Sequence, residues 1–176
     1  MSDHYQTPGA HIISDAEAEF YQPRFLSLSG RIGRLRWMAY NMALGLMFYA
    51  VFGLVLVGLG DTQALMNDPK AFNQGTTGVI FWALYAVIIV FSLGMSRRRL
   101  NDLDRSGWLL LLMLVPLVNA LFSLYLLFAP GTHGRNRFGP APNENPTGVV
   151  ILAFMPLTFA VLGIAAAILL PMLASA

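Results

Sequence analysis

The chain has 176 residues, 56% of them hydrophobic and only 11% charged, with no cysteine. An ordinary soluble domain carries about 25% charged residues, so a soluble fold is excluded for want of polar surface, and disulfide, thiolate and zinc–thiolate chemistry are excluded with the cysteines. The formal net charge of +2 decides little; the placement of the charges decides more.

Residues 1–29 read as a polar N-terminal tail, with Asp3, Asp15, Glu17 and Glu19 punctuated by Pro8, Gly9 and Pro23. A short helix is expected from Ser14 to Tyr21, with Ser14 as N-cap and Glu17 closing a capping box. No apolar h-region precedes residue 37, so a cleavable signal peptide is not expected. Gly30-Arg31-Ile32-Gly33-Arg34-Leu35-Arg36 then leads into Trp37, an interfacial aromatic. The first span is predicted over 38–60, free of ionisable groups. A polar loop with Asp61, Asp68 and Lys70 follows, and the second span is predicted over 79–95.

The most charged stretch of the chain comes next, Arg97-Arg98-Arg99-Leu100-Asn101-Asp102-Leu103-Asp104-Arg105-Ser106-Gly107-Trp108. Read as a continuation of the preceding helix, it sets Arg98 and Arg99 at i,i+4 and i,i+3 from Asp102. Ser106-Gly107 is expected to end that helix through a left-handed glycine. The third span is predicted over 108–128, interrupted by Pro116 and Asn119, with Asn119 and Ser123 on one face. Its length just suffices to cross, and a full crossing is the reading adopted; a re-entrant hairpin at Pro116 is the alternative. A Pro/Gly-rich connection contains Gly134-Arg135-Asn136-Arg137-Phe138-Gly139-Pro140, and a fourth apolar run covers 149–170, kinked or broken near Pro156. The expected fold is therefore all-α, a polytopic helical membrane protein with about four transmembrane helices.

Arginine is retained on the cytoplasmic side of a span. Arg24, Arg31, Arg34 and Arg36 precede span one, Arg97, Arg98, Arg99 and Arg105 precede span three, and Lys70 stands alone between spans one and two. The N-terminus and the central stretch are thus predicted cytoplasmic. With a full third crossing, Arg135 and Arg137 fall outside, against the rule.

Two acids beside four arginines are expected to be ion-paired rather than metal-bound, and Asp102 is expected to pair with arginine from its own helix or with Arg31 or Arg34. His4, His11 and His133 share no ligand spacing, Ser106 has no nucleophile-elbow pattern, and no phosphate loop or dinucleotide fingerprint is present. No catalytic, cofactor or metal residue is assigned, and cofactors are read as none. The arginines flank spans, so no nucleic-acid partner is inferred.

Three motifs together resemble the small bacterial inner-membrane proteins grouped as domain of unknown function 805, the YhaH-like proteins. They are Gly30-Arg31-Ile32-Gly33-Arg34 with Trp37; Arg98-Arg99-Leu100-Asn101-Asp102 with Arg105-Ser106-Gly107-Trp108; and Pro130-Gly131 with Gly134 to Pro142. Arg36 and Asn101 stand where that family often has glutamate and histidine. The resemblance covers roughly 30–142, read as the membrane domain, and leaves 143–176 as a linker and additional C-terminal span. It implies a bacterial inner-membrane location and no activity. Fixed spacing of uncharged residues among the arginines points to a defined polar structure at the membrane face.

The candidate site comprises Arg31, Arg34, Arg98, Arg99, Asp102, Arg105, Ser106, Trp108, Asn136, Arg137 and Phe138. The partner expected there is membrane lipid, an anionic phospholipid above all, with a membrane-protein partner or a second copy as further candidates. The functional reading is a non-enzymatic structural, partner-organising or headgroup-binding protein. The alternatives are a small transporter or channel subunit, or a lipid-modifying enzyme built on Asp102 and Asp104.

Overall fold

The structure, a computed structural model, describes residues 20–60 and 75–174. The first turns of the helix expected from Ser14, and the loop carrying Asp61, Asp68 and Lys70, lie outside the described residues. Where that helix was to end, Phe20–Tyr21 instead forms a short strand, β1, paired in parallel with β2, Ala141–Pro142.

Among the described residues four α-helices follow in chain order: α1 (Arg34–Leu59), α2 (Thr76–Asp102), α3 (Val118–Phe128) and α4 (Thr147–Ala174). A 3-10 helix, Gly107–Leu114, stands between α2 and α3. Three of these, α1, α2 and α4, contain apolar stretches long enough to cross a bilayer, and the chain is a polytopic helical membrane protein. The described residues divide into two compact units. A polar unit holds residues up to 34 and 94–145, and an apolar unit holds 35–93 and the residues from 146.

In the apolar unit α1 and α2 meet through aromatic rings. Phe81 of α2 lies edge-on to Phe48 and Phe52 of α1, at centroid separations of 5.4 and 5.1 Å. One polar rung joins the same helices: Ser92 Oγ donates to Asn41 Oδ1 at 2.6 Å, and Asn41 Nδ2 donates to its own Trp37 carbonyl. The remaining surface is apolar and exposed, as at Leu54 and Val57, which suits acyl chains and not water. In α4 the helix runs on through Pro156, so of the kink or break expected there the break does not occur. Proline removes only one donor, which the rest of a long apolar helix tolerates.

The third predicted span is not one helix. Pro116 holds Val115 extended, which ends the 3-10 helix. Leu117 then takes a left-handed backbone, φ 66°, before α3 begins. The 3-10 helix and α3 pack against each other, and each is only about 16 Å long, half of a bilayer core of about 30 Å. The far foot of this hairpin returns to the end of α2: Arg99 Nε donates to the Leu126 carbonyl at 2.9 Å, and the Thr132 amide donates to the Asp102 carbonyl at 2.8 Å. The chain comes back to the place it left, and 107–128 takes the shape of the hairpin weighed as the alternative. Length counts residues, whereas proline geometry and a left-handed leucine set direction.

The stop at the end of α2 also differs from expectation. Asp104, not Gly107, takes the left-handed conformation, φ 54°. The Arg105 amide donates to the Leu100 carbonyl and the Asp104 amide to the Asn101 carbonyl, the paired bonds of a Schellman stop. Aspartate tolerates this region better than most residues. Ser106 instead caps the 3-10 helix, its side chain accepting from the Trp108 amide. Ile32, Met95, Leu100, Leu103, Phe122 and Leu126 form the buried centre of the polar unit.

Candidate functional site

Asp102 is the centre of the polar unit. Arg99, one turn earlier on α2, donates from Nη1 to Asp102 Oδ2 at 2.7 Å. Arg31, from the segment before α1, donates from Nε and Nη2 to Asp102 Oδ1 at 3.3 and 3.1 Å. The pairing expected for Asp102 is therefore present twice. Arg98, placed by helical spacing beside Asp102, points elsewhere: its Nη1 donates to the Arg24 and Ser27 carbonyls.

All three arginines are fully buried, at 0% exposure. A buried charge demands partners, and backbone carbonyls supply them to Arg31 and Arg99, while Arg98 is met at Nη1 and left without an acceptor among the described residues at Nε and Nη2. Arg31 Nη1 reaches the Gly134 and Gly139 carbonyls, and its Nη2 reaches both the carbonyl and the hydroxyl of Thr132. Arg99 takes the Leu126 and Ala129 carbonyls, the first of which belongs to the last turn of α3 and has no donor within that helix. Guanidinium carries five donors in a planar fork, so one side chain ties several strands of chain together. Lysine has neither the reach nor the geometry.

Uncharged residues complete the lock. Asn101 Nδ2 donates to the Gly30 carbonyl at 3.0 Å, while its own carbonyl accepts from Asn136 Nδ2 at 2.9 Å. Asn136 Oδ1 accepts from the Phe138 amide. Thr132 Oγ1 donates to the Asp102 carbonyl. Tyr21, on β1, bonds through its hydroxyl to the backbone of Arg31. Gly131 has no alternative, because a Cβ there would overlap the Asp102 carboxylate.

The candidate residues thus divide. Arg31, Arg98, Arg99, Asp102 and Asn136 belong to the lock. Arg34 and Arg105 are exposed and stand outside it. Ser106, Trp108, Arg137 and Phe138 line a cleft of about 510 Å3 together with Gly107 and Arg97. Arg137 Nη2 donates to the Asp104 carbonyl at 2.9 Å, its Nε lies 3.1 Å from Asp104 Oδ1, and its guanidinium sits 4.8 Å from the Phe138 ring centroid. The two acids of the Asp-x-Asp pair therefore face different arginines. Sequence reasoning missed Arg97, Tyr21, Gly131 and Thr132 as site residues. The Pro130-Gly131 motif carried the signal for the last two, since a glycine at fixed distance from an acid marks a close approach. Nothing in the sequence pointed to Tyr21.

Comparison with known proteins fits this arrangement. The family model described as "Protein of unknown function (DUF805)" matches residues 25–140. The chain belongs to this family. It is 32% identical over 101 residues to "Inner membrane protein YhaH" of Escherichia coli strain K12, covering 57% of this chain and 80% of that protein. The same protein of Escherichia coli O157:H7 gives the same figures. No solved structure matches the chain. The family match contains every residue of the lock except Tyr21 and ends before α4. This family member is a membrane protein of the bacterial inner membrane.

Proposed function

We propose that this chain is a non-enzymatic membrane-organising protein whose arginine-bearing cytoplasmic face gathers anionic headgroups. The observation that carries this reading is the division of the arginines. Arg31, Arg98 and Arg99 are spent inside the polar unit, while Arg34, Arg97, Arg105 and Arg135 remain exposed beside it. An exposed arginine near an anionic surface contributes about 1 kcal/mol, and four of them bias local lipid composition. The engagement of Asp102 by two guanidiniums, and of Asp104 by Arg137, speaks against a lipid-modifying enzyme that needs either acid free.

The same reading has a topology. Arg24, Arg31, Arg34, Arg97, Arg98, Arg99, Arg105, Arg135 and Arg137 all belong to the polar unit, which supports a cytoplasmic position for it under the positive-inside rule. Arg135 and Arg137 no longer stand against that rule once 107–128 is a hairpin. The hairpin then sits in the cytoplasmic leaflet, α1, α2 and α4 are the three crossings, and the C-terminus emerges on the far side.

Two measurements test this. Protein extracted with its surrounding lipid should carry anionic phospholipid enriched severalfold over the bulk membrane; a bulk composition refutes the headgroup reading. Cysteine at His133, which is exposed, should label only from the cytoplasm, cysteine at Leu117 from neither side, and a tag after Ala176 only from outside. Labelling of Leu117→Cys from outside would restore the full crossing.

A further inference from the structure

We infer that the cleft between Arg97 and Arg137 is a site for the phosphate of a singly charged phosphodiester lipid. This rests on the headgroup reading and assigns it to one place. The cleft holds about 510 Å3, within the range that accepts a small ligand, and enough for a glycerophosphate headgroup with its acyl chains left outside.

Each wall has a defined part. Arg137 is fixed from below by Asp104 and from the side by the Phe138 ring, so its remaining Nη1 donors are held ready. Arg97 is exposed, and among the described residues no acid pairs with it. The stem of Arg97 rests on Gly107, where a Cβ would stand 3.2 Å from its Cγ. Two guanidiniums against the one carboxylate of Asp104 leave a single positive charge. A phosphodiester, with one negative charge, matches it; a phosphomonoester carries about two at neutral pH and leaves one unmatched.

The surroundings distinguish a lipid from a free ion. Trp108, on the cleft wall, is 77% exposed, as an interfacial anchor is. Further along the same 3-10 helix stand the exposed Leu111, Leu112 and Leu114. A phosphate in the cleft therefore stands at the head of an apolar ridge along which acyl chains can lie.

The test uses the full chain in phosphatidylcholine nanodiscs containing graded phosphatidylglycerol, with bound lipid counted by native mass spectrometry. Arg97→Lys, Arg97→Gln and Arg105→Gln are compared with the parent; both positions face solvent, so folding is checked simply by circular dichroism. A shaped site predicts that Arg97→Lys lowers phosphatidylglycerol retention about tenfold, because lysine loses the bidentate contact, and that Arg97→Gln costs more than Arg105→Gln. Harmless Arg97→Lys, with equal losses for the two glutamine variants, overturns the cleft and leaves only diffuse attraction to the face. No preference for phosphatidylglycerol in the parent overturns both readings. Inorganic phosphate is added as competitor. Its failure to displace the lipid at millimolar concentration supports the lipid site, and full displacement assigns the cleft to free phosphate instead.

Discussion

In the polar unit three guanidiniums reach seven backbone carbonyls and two of them share one carboxylate, whereas in the apolar unit α1 and α2 meet through edge-on rings and the hydrogen bond from Ser92 to Asn41. The first arrangement is directional. Arg31 and Arg99 donate to named acceptors, and removing one partner leaves the other buried without it. The second is not, since rings and aliphatic chains slide and repack at small cost, and the bilayer is as apolar as the side chains it touches. The polar unit therefore sets the fold of the hairpin and of the loop 129–145, while the apolar unit provides reach through the membrane.

The sharpest way to break this contrast is at Asp102. Asp102→Asn keeps the shape and removes the charge that balances Arg31 and Arg99. We expect a loss of about 3–5 kcal/mol, read as a collapse of the monodisperse peak and of the unfolding midpoint in detergent. A near-neutral result would mean that the carbonyls alone hold the arginines. Next in size is Gly131→Ala. Its Cβ meets the Asp102 carboxylate, and overpacking of this kind costs about 1–3 kcal/mol; the double variant Gly131→Ala with Asp102→Asn should be less than additive, because both disturb one contact.

Leu117→Gly tests the hairpin with the opposite sign. Leucine at φ 66° is strained, and a left-handed non-glycine residue costs about 1–2 kcal/mol. The side chain is 85% exposed, so little packing is lost. The variant should be more stable by up to about 1 kcal/mol in thermal unfolding, and a clear destabilisation would show that Leu117 is held by a contact of its own. The smallest effect is expected in the apolar unit. Ser92→Ala removes the bond to Asn41, and interhelical hydrogen bonds in membranes average about 0.6 kcal/mol. A loss as large as that of Asp102→Asn would erase the distinction between the units.

Much of this was legible from the chain. Of the four spans read from the apolar runs, those over 38–60, 79–95 and 149–170 coincide with the three helices long and apolar enough to cross a bilayer, because a bilayer admits few solutions for a long apolar segment. Charge spacing gave the Arg99–Asp102 pair, because i,i+3 neighbours on a helix meet whatever the rest of the protein does. The fixed spacing of Asp102, Ser106, Gly107, Asn136 and Phe138 pointed to a defined polar structure; Asp102 and Asn136 lie in the lock, whereas Ser106, Gly107 and Phe138 line the cleft.

What composition and spacing determined by themselves was the class of object, the side of each helix on which its arginines lie, and the local pairs. Those follow from the solvent and from helix periodicity, which act within one segment. Only the tertiary structure decided that 107–128 turns back, that Arg98 abandons Asp102 for the turn at 24–27, and which arginines are buried and which face solvent. Each depends on where a distant carbonyl or carboxylate arrives: Thr132 and Ala129 at the end of α2, Tyr21 on Arg31, Asp104 beneath Arg137. A guanidinium binds whichever acceptors surround it, and the sequence states the donors without stating which acceptors the fold will bring.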